Sequence, residues 1–397
     1  MRLLAVHNFY QQAGGEDVVF RAETALLRRH GHDVETFTVS NDALGQTPRL
    51  QAAAQTLWNA RMGRQIEGLA REHGAEVVHF HNTFPLLSPA VYRGARAAGA
   101  AVVQTLHNFR LLCANGLFFR DHHVCEDCLG HLPLSAVRHR CYRDSRSASA
   151  VVAAMQTVHH AAGTYRSDVD AYIALTEFAR DKFIAGGLPA GRIAVKPNFL
   201  EASPGPGAGD GRYALFVGRL SPEKGVETLL RAWTDLGGTV PLKILGDGPL
   251  APQVEQAARQ LPGVSWLGQR DRAEVMKLMQ EAAFLVLPSE CYEGFPMTLV
   301  EAWGVGLPVI GSRLGALGAL IEPGRNGLLF QPGDAADLAA QALWLWDHPQ
   351  ERGQMRLHAH QTFEASYTPE RNHEQLMAIY AAAREHSAQG RSVLTTQ

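Results

Sequence analysis

Short apolar runs recur along the chain, with helix-length stretches between them. The runs cover residues 3–6, 77–80, 101–106, 172–175, 213–217, 242–245, 284–287 and 308–311. Stretches such as 18–30 and 225–236 are long enough for helices. Apolar runs this short read as buried strands. Strands alternating with helical stretches predict parallel sheets joined by crossover helices, an α/β fold.

One segment breaks the alternation. Residues 200–212 (LEASPGPGAGDGR) are rich in Gly, Pro and small residues and read as a linker. The chain then divides into a first domain over 1–199, a second over 213–368, and a terminal helix and tail over 369–397. At 397 residues each half has enough chain for its own core. Ligands of open α/β sheets bind at the carboxyl ends of the strands, so a crevice between the halves is the expected site.

Composition narrows the function classes. Lys plus Arg is 37 and Asp plus Glu is 39, a formal net charge of −2, which gives no global argument for nucleic-acid binding. No apolar run approaches the roughly 18 residues of a membrane span. The amino terminus opens on Leu3-Leu4-Ala5-Val6 without a signal-peptide layout. The expectation is a cytoplasmic protein, with peripheral contact at the inner face of the membrane left open.

The second half carries the most informative chemistry. After the run 284–287 comes Pro288-Ser289-Glu290-Cys291-Tyr292-Glu293-Gly294-Phe295-Pro296, then a helix-like stretch over 297–304. Pro296 stands near the first helical position. Glu293 therefore lies in the strand-to-helix loop, and Glu301 about a turn inside the helix. Cys291 reads as a packing residue. Carboxylates accept hydrogen bonds from hydroxyls, and a helix start holds an anion. A ligand with both hydroxyls and phosphates suits this pair, and a nucleotide sugar is one.

The run 213–217 leads into Gly218-Arg219-Leu220-Ser221-Pro222-Glu223-Lys224-Gly225. Arg219 can hold two phosphate oxygens at once and Lys224 supplies a point charge. The turn Gly246-Asp247-Gly248-Pro249 allows close backbone approach. In the first half, Gly14-Gly15 precede an amphipathic helix and permit close approach of an anion or a sugar.

Together these motifs resemble the family 4 retaining glycosyltransferases. Gly218-Arg219, Lys224-Gly225, the Gly246 turn, the Glu293…Glu301 pair and the following Gly306-Leu307-Pro308-Val309-Ile310 fall in family order and at family-like distances. The resemblance covers nearly the whole chain. It implies the GT-B fold, two Rossmann-like domains facing a central cleft. It implies that Glu301 binds the donor ribose, Glu293 the donor sugar, and Arg219 and Lys224 the diphosphate. Gly218, Gly246 and the backbone N–H groups around Gly294, Phe295, Met297 and Thr298 complete that donor set. The Gly14-Gly15 loop is implied to reach the donor diphosphate and the acceptor. His107, after the run 101–106, is implied to contact the donor sugar near the reacting centre. His79 and His81 flank the preceding strand end, and one of them is a candidate to face the acceptor.

Four cysteines, Cys113, Cys125, Cys128 and Cys141, fall in an insertion over about 108–145 that is expected to shape the acceptor pocket. The Cys-x-x-Cys pair with two outer cysteines fits a tetrahedral structural zinc, and His122, His123, His131 or His139 could substitute. Unligated structural cysteines and a disulfide or redox pair stay open, the last disfavoured in a reducing cytosol.

The resulting expectation is a hexosyltransferase-like enzyme. It moves a sugar, with retention, from a UDP- or GDP-sugar to a hydroxyl acceptor such as a lipid-linked glycan or polysaccharide intermediate. Arg219, Lys224 and the helix start would stabilise the departing diphosphate, with Glu293 and His107 at the sugar. No metal cofactor is required for this catalysis and no Asp-x-Asp metal centre is expected. The rival readings are a non-catalytic nucleotide-sugar-binding protein, a GT-B-like nucleotide-sugar epimerase and a zinc-dependent interaction module.

Overall fold

The computed structural model describes residues 1–11, 14–208 and 211–395. The linker reading at 209–210 and the tail reading at 396–397 fall outside the described residues. The chain forms two compact units. One comprises Met1–Phe118, Glu126–Asn198 and Asn372–Gln397, the other Phe119–Cys125 and Phe199–Arg371.

The first unit is built on β1 (Arg2–Phe9), β2 (Asp33–Ser40), β3 (Val77–Asn82) and β4 (Ala101–Leu106). A short antiparallel ladder, β5 (Phe119–Arg120) with β6 (His123–Val124), follows and groups with the second unit. β7 (Ala171–Ala174) and β8 (Ile193–Val195) complete the first sheet. Its order is β2-β1-β3-β4-β7-β8, with every pairing parallel. Leu3 lies opposite Val34 on one side and Val77 on the other. The helix Gly15–Arg29 buries Phe20 and Leu27 on Leu3, Ala5 and Val77. Each such aromatic or aliphatic side chain contributes roughly 1.5–3 kcal/mol on burial.

The terminal helix, Pro369–Thr395, follows the second half in sequence but packs in the first unit. Leu376, Ile379, Tyr380 and Ala383 join the core with Val103 and Ile173. Their spacing of three, four and seven places them on one helical face.

The second unit holds β9 (Ala214–Val217), β10 (Leu242–Leu245), β11 (Val264–Gly268), β12 (Phe284–Leu287), β13 (Val309–Ser312) and β14 (Gly327–Phe330). The order is β11-β10-β9-β12-β13-β14, again all parallel. Counted within the unit this is 3-2-1-4-5-6, the doubly wound Rossmann order. Helix Val226–Leu236 buries Val226, Leu229, Ala232, Trp233 and Leu236 on this sheet and stops at Gly237, which is left-handed at φ 58°. The two units are thus the two Rossmann-like halves of the GT-B class. Among the described residues no helix is long and apolar enough to cross a membrane.

Candidate functional site

In the second sheet the winding direction reverses between β9 and β12. Chain segments leave this point in opposite directions, which opens a crevice at the carboxyl ends of those two strands. The loop 218–225 leaves β9 there, and the loop 288–296 leaves β12. Their backbones touch. Gly225 has φ 67°, and a Cβ on it would collide with the Pro288 carbonyl oxygen. Glu290 N donates to Glu223 O at 2.9 Å, and Thr228 Oγ1 donates to Glu290 Oε1 at 2.6 Å. The Gly246 turn closes from the far side. At φ 132°, a Cβ on Gly246 would meet the Gly218 carbonyl oxygen, and Leu220 N donates to Asp247 O at 2.9 Å.

This packing brings two of the sequence-predicted residues into direct contact. Lys224 Nζ lies 2.6 Å from Glu293 Oε1, and Ser289 Oγ donates to the same oxygen at 2.6 Å. Burial opposes ionisation of Glu293, but the Lys224 charge and the two hydrogen bonds outweigh it and hold the carboxyl below its ordinary value. Burial likewise opposes the Lys224 charge, yet Glu293 raises that ammonium to about 12. The pair is therefore ionised at neutral pH. Cys291 is buried and its thiol is pushed up by that burial, so it is an inert packing residue.

Arg219 is exposed and has no ion pair among the described residues. Helix Met297–Gly304 starts at Pro296, which occupies the N-cap rather than the first helical position and provides no side-chain cap. Its first N–H groups, at Met297 and Thr298, have no partner within the helix, as at any helix start. Gly294 and Phe295 lead into that start. Glu301 stands in the middle of this helix, and burial raises its carboxyl despite Arg272 at 3.8 Å.

His107, Gly14 and Gly15 belong to the first unit. His107 follows β4, and its Nε2 lies 3.1 Å from His81 Nδ1. Burial drives the His107 ring well below its ordinary value, so it is neutral. His79 and His81 lie within β3, both buried, and each places a ring nitrogen 3.4 Å from Glu23 Oε1. This Glu–His–His group has the spacing of a metal site. Its cation is already a side chain, since Lys196 Nζ sits 2.9 Å from Glu23 Oε2. Both His79 nitrogens also have partners, Tyr380 Oη and Thr105 Oγ1 at 2.8 Å each. Gly14 is extended and caps the helix Gly15–Arg29, its N–H donating to Asp17 Oδ2 at 2.9 Å. Asp17 Oδ1 in turn lies 2.7 Å from His7 Nε2.

Sequence reasoning missed several participants. Ser289 is a common loop residue until its contact with Glu293 is seen. Glu16 sits where its oxygens lie 3.4 Å from the side-chain amides of Asn82 and Asn108. Burial, with Asp17 beside it, pushes its carboxyl up to about 8. The triplet Asp168-Val169-Asp170 does have the Asp-x-Asp spacing. It lies at the amino end of β7, away from the ligand end of the sheet. Arg93 Nε takes Asp168 at 3.1 Å, and Arg96 takes Asp170 at 2.8 Å.

Residues 211–348 match the family Glycosyl transferases group 1, and residues 13–203 match Glycosyltransferase Family 4. Together the two matches span most of the chain. By these two matches the chain belongs to the group 1, family 4 glycosyltransferases. An uncharacterized glycosyltransferase of Methanocaldococcus jannaschii is 36% identical over 146 residues, 36% of this family 4 chain and 41% of that protein. The D-rhamnosyltransferase WbpZ of Pseudomonas aeruginosa is 34% identical over 162 residues, 40% of this chain and 42% of that protein. The chain thus spans less than half the length of these two relatives. Among solved structures, Anabaena HepE in complex with UDP superposes with a TM-score of 0.68 at 18% identity, over 96% of this chain and 100% of that one. HepE has also been solved with UDP-glucose. At that identity the likeness is one of fold.

Proposed function

We propose that this protein is a retaining glycosyltransferase that moves a sugar from a nucleoside diphosphate donor to a hydroxyl acceptor. The observation that carries the reading is the Lys224–Glu293 pair, at 2.6 Å, at the switch point of the second sheet beside an uncapped helix start. As the bond from sugar to diphosphate breaks, negative charge grows on the phosphate oxygens. Lys224, Arg219 and the N–H groups at Met297 and Thr298 are the donors available to meet it. Glu301 is the ribose acceptor of hydrogen bonds, and Glu293 faces the sugar that becomes cationic as it flattens. No protein group is assigned as general base. In a retaining transfer the departing phosphate can take the acceptor proton on the same face of the sugar. HepE, which shares the fold, is known with UDP-glucose, so a UDP-sugar is the first donor to test. The acceptor class we assign is a lipid-linked glycan or polysaccharide intermediate, which would bring the protein to the cytoplasmic face of a membrane.

The test is release of nucleoside diphosphate from a panel of UDP- and GDP-sugars, with and without hydroxyl acceptors. Transfer should give a product whose anomeric proton coupling matches the donor. Donor binding without release or transfer would leave a binding protein. Interconversion of the donor sugar without acceptor would make it an epimerase.

A further inference from the structure

Inside the first unit Glu23 and Lys196 form an ion pair at 2.9 Å, and each side chain is 1% exposed. Replacing so deep a pair by apolar residues of similar volume is often neutral or stabilising, so fold stability alone does not account for it. Lys196 Nζ donates to Glu23 Oε2. The other oxygen, Glu23 Oε1, is buried and makes no hydrogen bond of ordinary length. Two ring nitrogens face it, His79 Nδ1 and His81 Nε2, each at 3.4 Å.

The two rings differ. His79 has a hydroxyl on each nitrogen, Tyr380 Oη and Thr105 Oγ1. A hydroxyl donates or accepts, so these contacts leave the His79 proton free to sit on either nitrogen. Among the described residues His81 has no hydroxyl partner. Its Nε2 faces the carboxylate, and its Nδ1 lies 3.1 Å from His107 Nε2. The His81 and His107 ring centres are 5.3 Å apart, with planes 21° from parallel. With the facing nitrogens so close, the rings meet end to end, as an N–H···N bond requires.

At pH 8, above the ordinary imidazole range, each ring carries one proton. A carboxylate oxygen only accepts, and a buried one is rarely left unmet, so the His81 proton belongs on Nε2. His81 Nδ1 is then a lone pair, and His107 Nε2 must donate to it. The remaining nitrogen, His107 Nδ1, is left as an acceptor. Glu23 and His81 are buried, whereas His107 is partly exposed where the chain leaves the carboxyl end of β4.

We propose that Glu23 and His81 are positioning residues that fix the tautomer of His107, with its proton on Nε2 and its Nδ1 open to accept a hydrogen bond. Lys196 neutralises the carboxylate that starts this relay. That the bond comes from a hydroxyl of the donor sugar rests on the glycosyltransferase reading; the tautomer does not. A donor sugar lacking that hydroxyl would be rejected, because it leaves the lone pair unmet.

The experiment uses the full chain with isotopically labelled imidazole nitrogens, and NMR at pH 8 reads which nitrogen of each ring carries the proton. Loss of a signal in His81→Phe and in His107→Gln identifies the two rings. In the wild type both should be protonated at Nε2. A proton on Nδ1 of either ring overturns the proposal without recourse to any variant. His81→Phe removes the acceptor of the His107 proton. Glu23→Gln combined with Lys196→Met removes the carboxylate without stranding the ammonium. In both, His107 should become a mixture of tautomers; a single Nε2–H form in both folded variants would show that the relay does not set it. With a donor that the protein turns over, the double variant should lower kcat roughly tenfold and leave UDP affinity within about twofold, since UDP carries no sugar. Equal losses in kcat and UDP affinity would mean a general structural defect and overturn the positioning role. The expected tautomers in a protein that releases nucleoside diphosphate from no donor would sink the glycosyltransferase reading and leave the relay standing.

Discussion

Lys224 Nζ and Glu293 Oε1 are 2.6 Å apart, so the phosphate-loop cation is already paired with the carboxylate assigned to the sugar. The pair has a structural role as well as a chemical one. Lys224→Met would leave Glu293 half-buried with only Ser289 to bond its carboxylate. We expect a loss of about 1–3 kcal/mol, the usual cost of stranding a buried polar group. The sign with pH follows from the depressed Glu293 carboxyl. Its stabilisation is present above the ordinary carboxylate range and is lost as pH falls through the folded value. Urea unfolding should therefore show the variant and wild type converging in acid and separating toward neutrality. Parallel curves would remove the pair from the stability of the unit.

Arg219 should behave oppositely. It is exposed and has no ion pair among the described residues. Arg219→Ala should change stability by less than about 0.5 kcal/mol, as is usual for a surface substitution. If it stabilises the departing diphosphate, turnover should still fall by roughly 3 kcal/mol of transition-state stabilisation. A folded variant with normal turnover would exclude it from the site.

Much of this arrangement is legible in the sequence because its signals are local. Continuous apolar strands such as 284–287 carry their own burial, and Gly218-Arg219 or Glu293…Glu301 keep fixed spacing. Other elements have weaker signals. β2, Asp-Val-Glu-Thr-Phe-Thr-Val-Ser, is an edge strand that alternates in polarity, and its pairing depends on β1 alone. The Pro369–Thr395 helix shows its apolar face, but nothing in its sequence tells which sheet that face covers. The Lys224–Glu293 contact spans 69 residues of chain and depends on the close approach at Gly225. In the sequence Glu16 is one of two acidic residues in a helix's first turn. Its burial, with Asp17 beside it, raises its carboxyl, and that burial is not visible in the sequence pattern.

That carboxyl gives a second pH signature. Glu16 in the folded chain keeps its proton up to about 8, whereas the unfolded chain loses it near the ordinary glutamate value. As pH rises between these two values the unfolded state gains charge first, and the folded state loses relative stability. Glu16→Gln carries no such proton. Its stability should fall less than that of wild type between the ordinary carboxylate range and pH 8, in melts at matched ionic strength. Identical pH profiles would mean that Glu16 is solvated and ionises normally.

The cysteines make a separate prediction. Cys113 is buried and its Sγ donates to Asn115 Oδ1 at 3.0 Å. Cys128 and Cys141 pack against a small apolar cluster with Phe84, Ala136 and Val152. With Cys125 three residues before Cys128, the spacing predicts a four-thiolate structural zinc, about one equivalent per chain. Elemental analysis of protein purified without chelators is the measurement. No metal together with titratable thiols would leave packing residues, and a shortage of thiols that a reductant restores would point to a disulfide.

The two glutamates should separate kinetically. Glu301 is assigned to the ribose, away from the bond that breaks, and a contact present equally in ground and transition states affects binding alone. Glu301→Gln should therefore mainly raise the donor KM. Burial already disfavours the Glu301 charge, so removing it should not lower stability. In the proposed function Glu293 faces the transferred sugar, and such a contact would strengthen as positive charge develops there. Glu293→Gln should mainly lower kcat. Free UDP has the ribose but no sugar, so its affinity should fall in the Glu301 variant and hold in the Glu293 variant. Because Glu293 also anchors Lys224, the second half of that statement is the more demanding. If UDP affinity falls in Glu293→Gln as well, the ion pair positions Lys224 for the diphosphate and the two roles are coupled. A reversal of the pattern, with UDP lost only in Glu293→Gln, would turn the donor end for end in the loop.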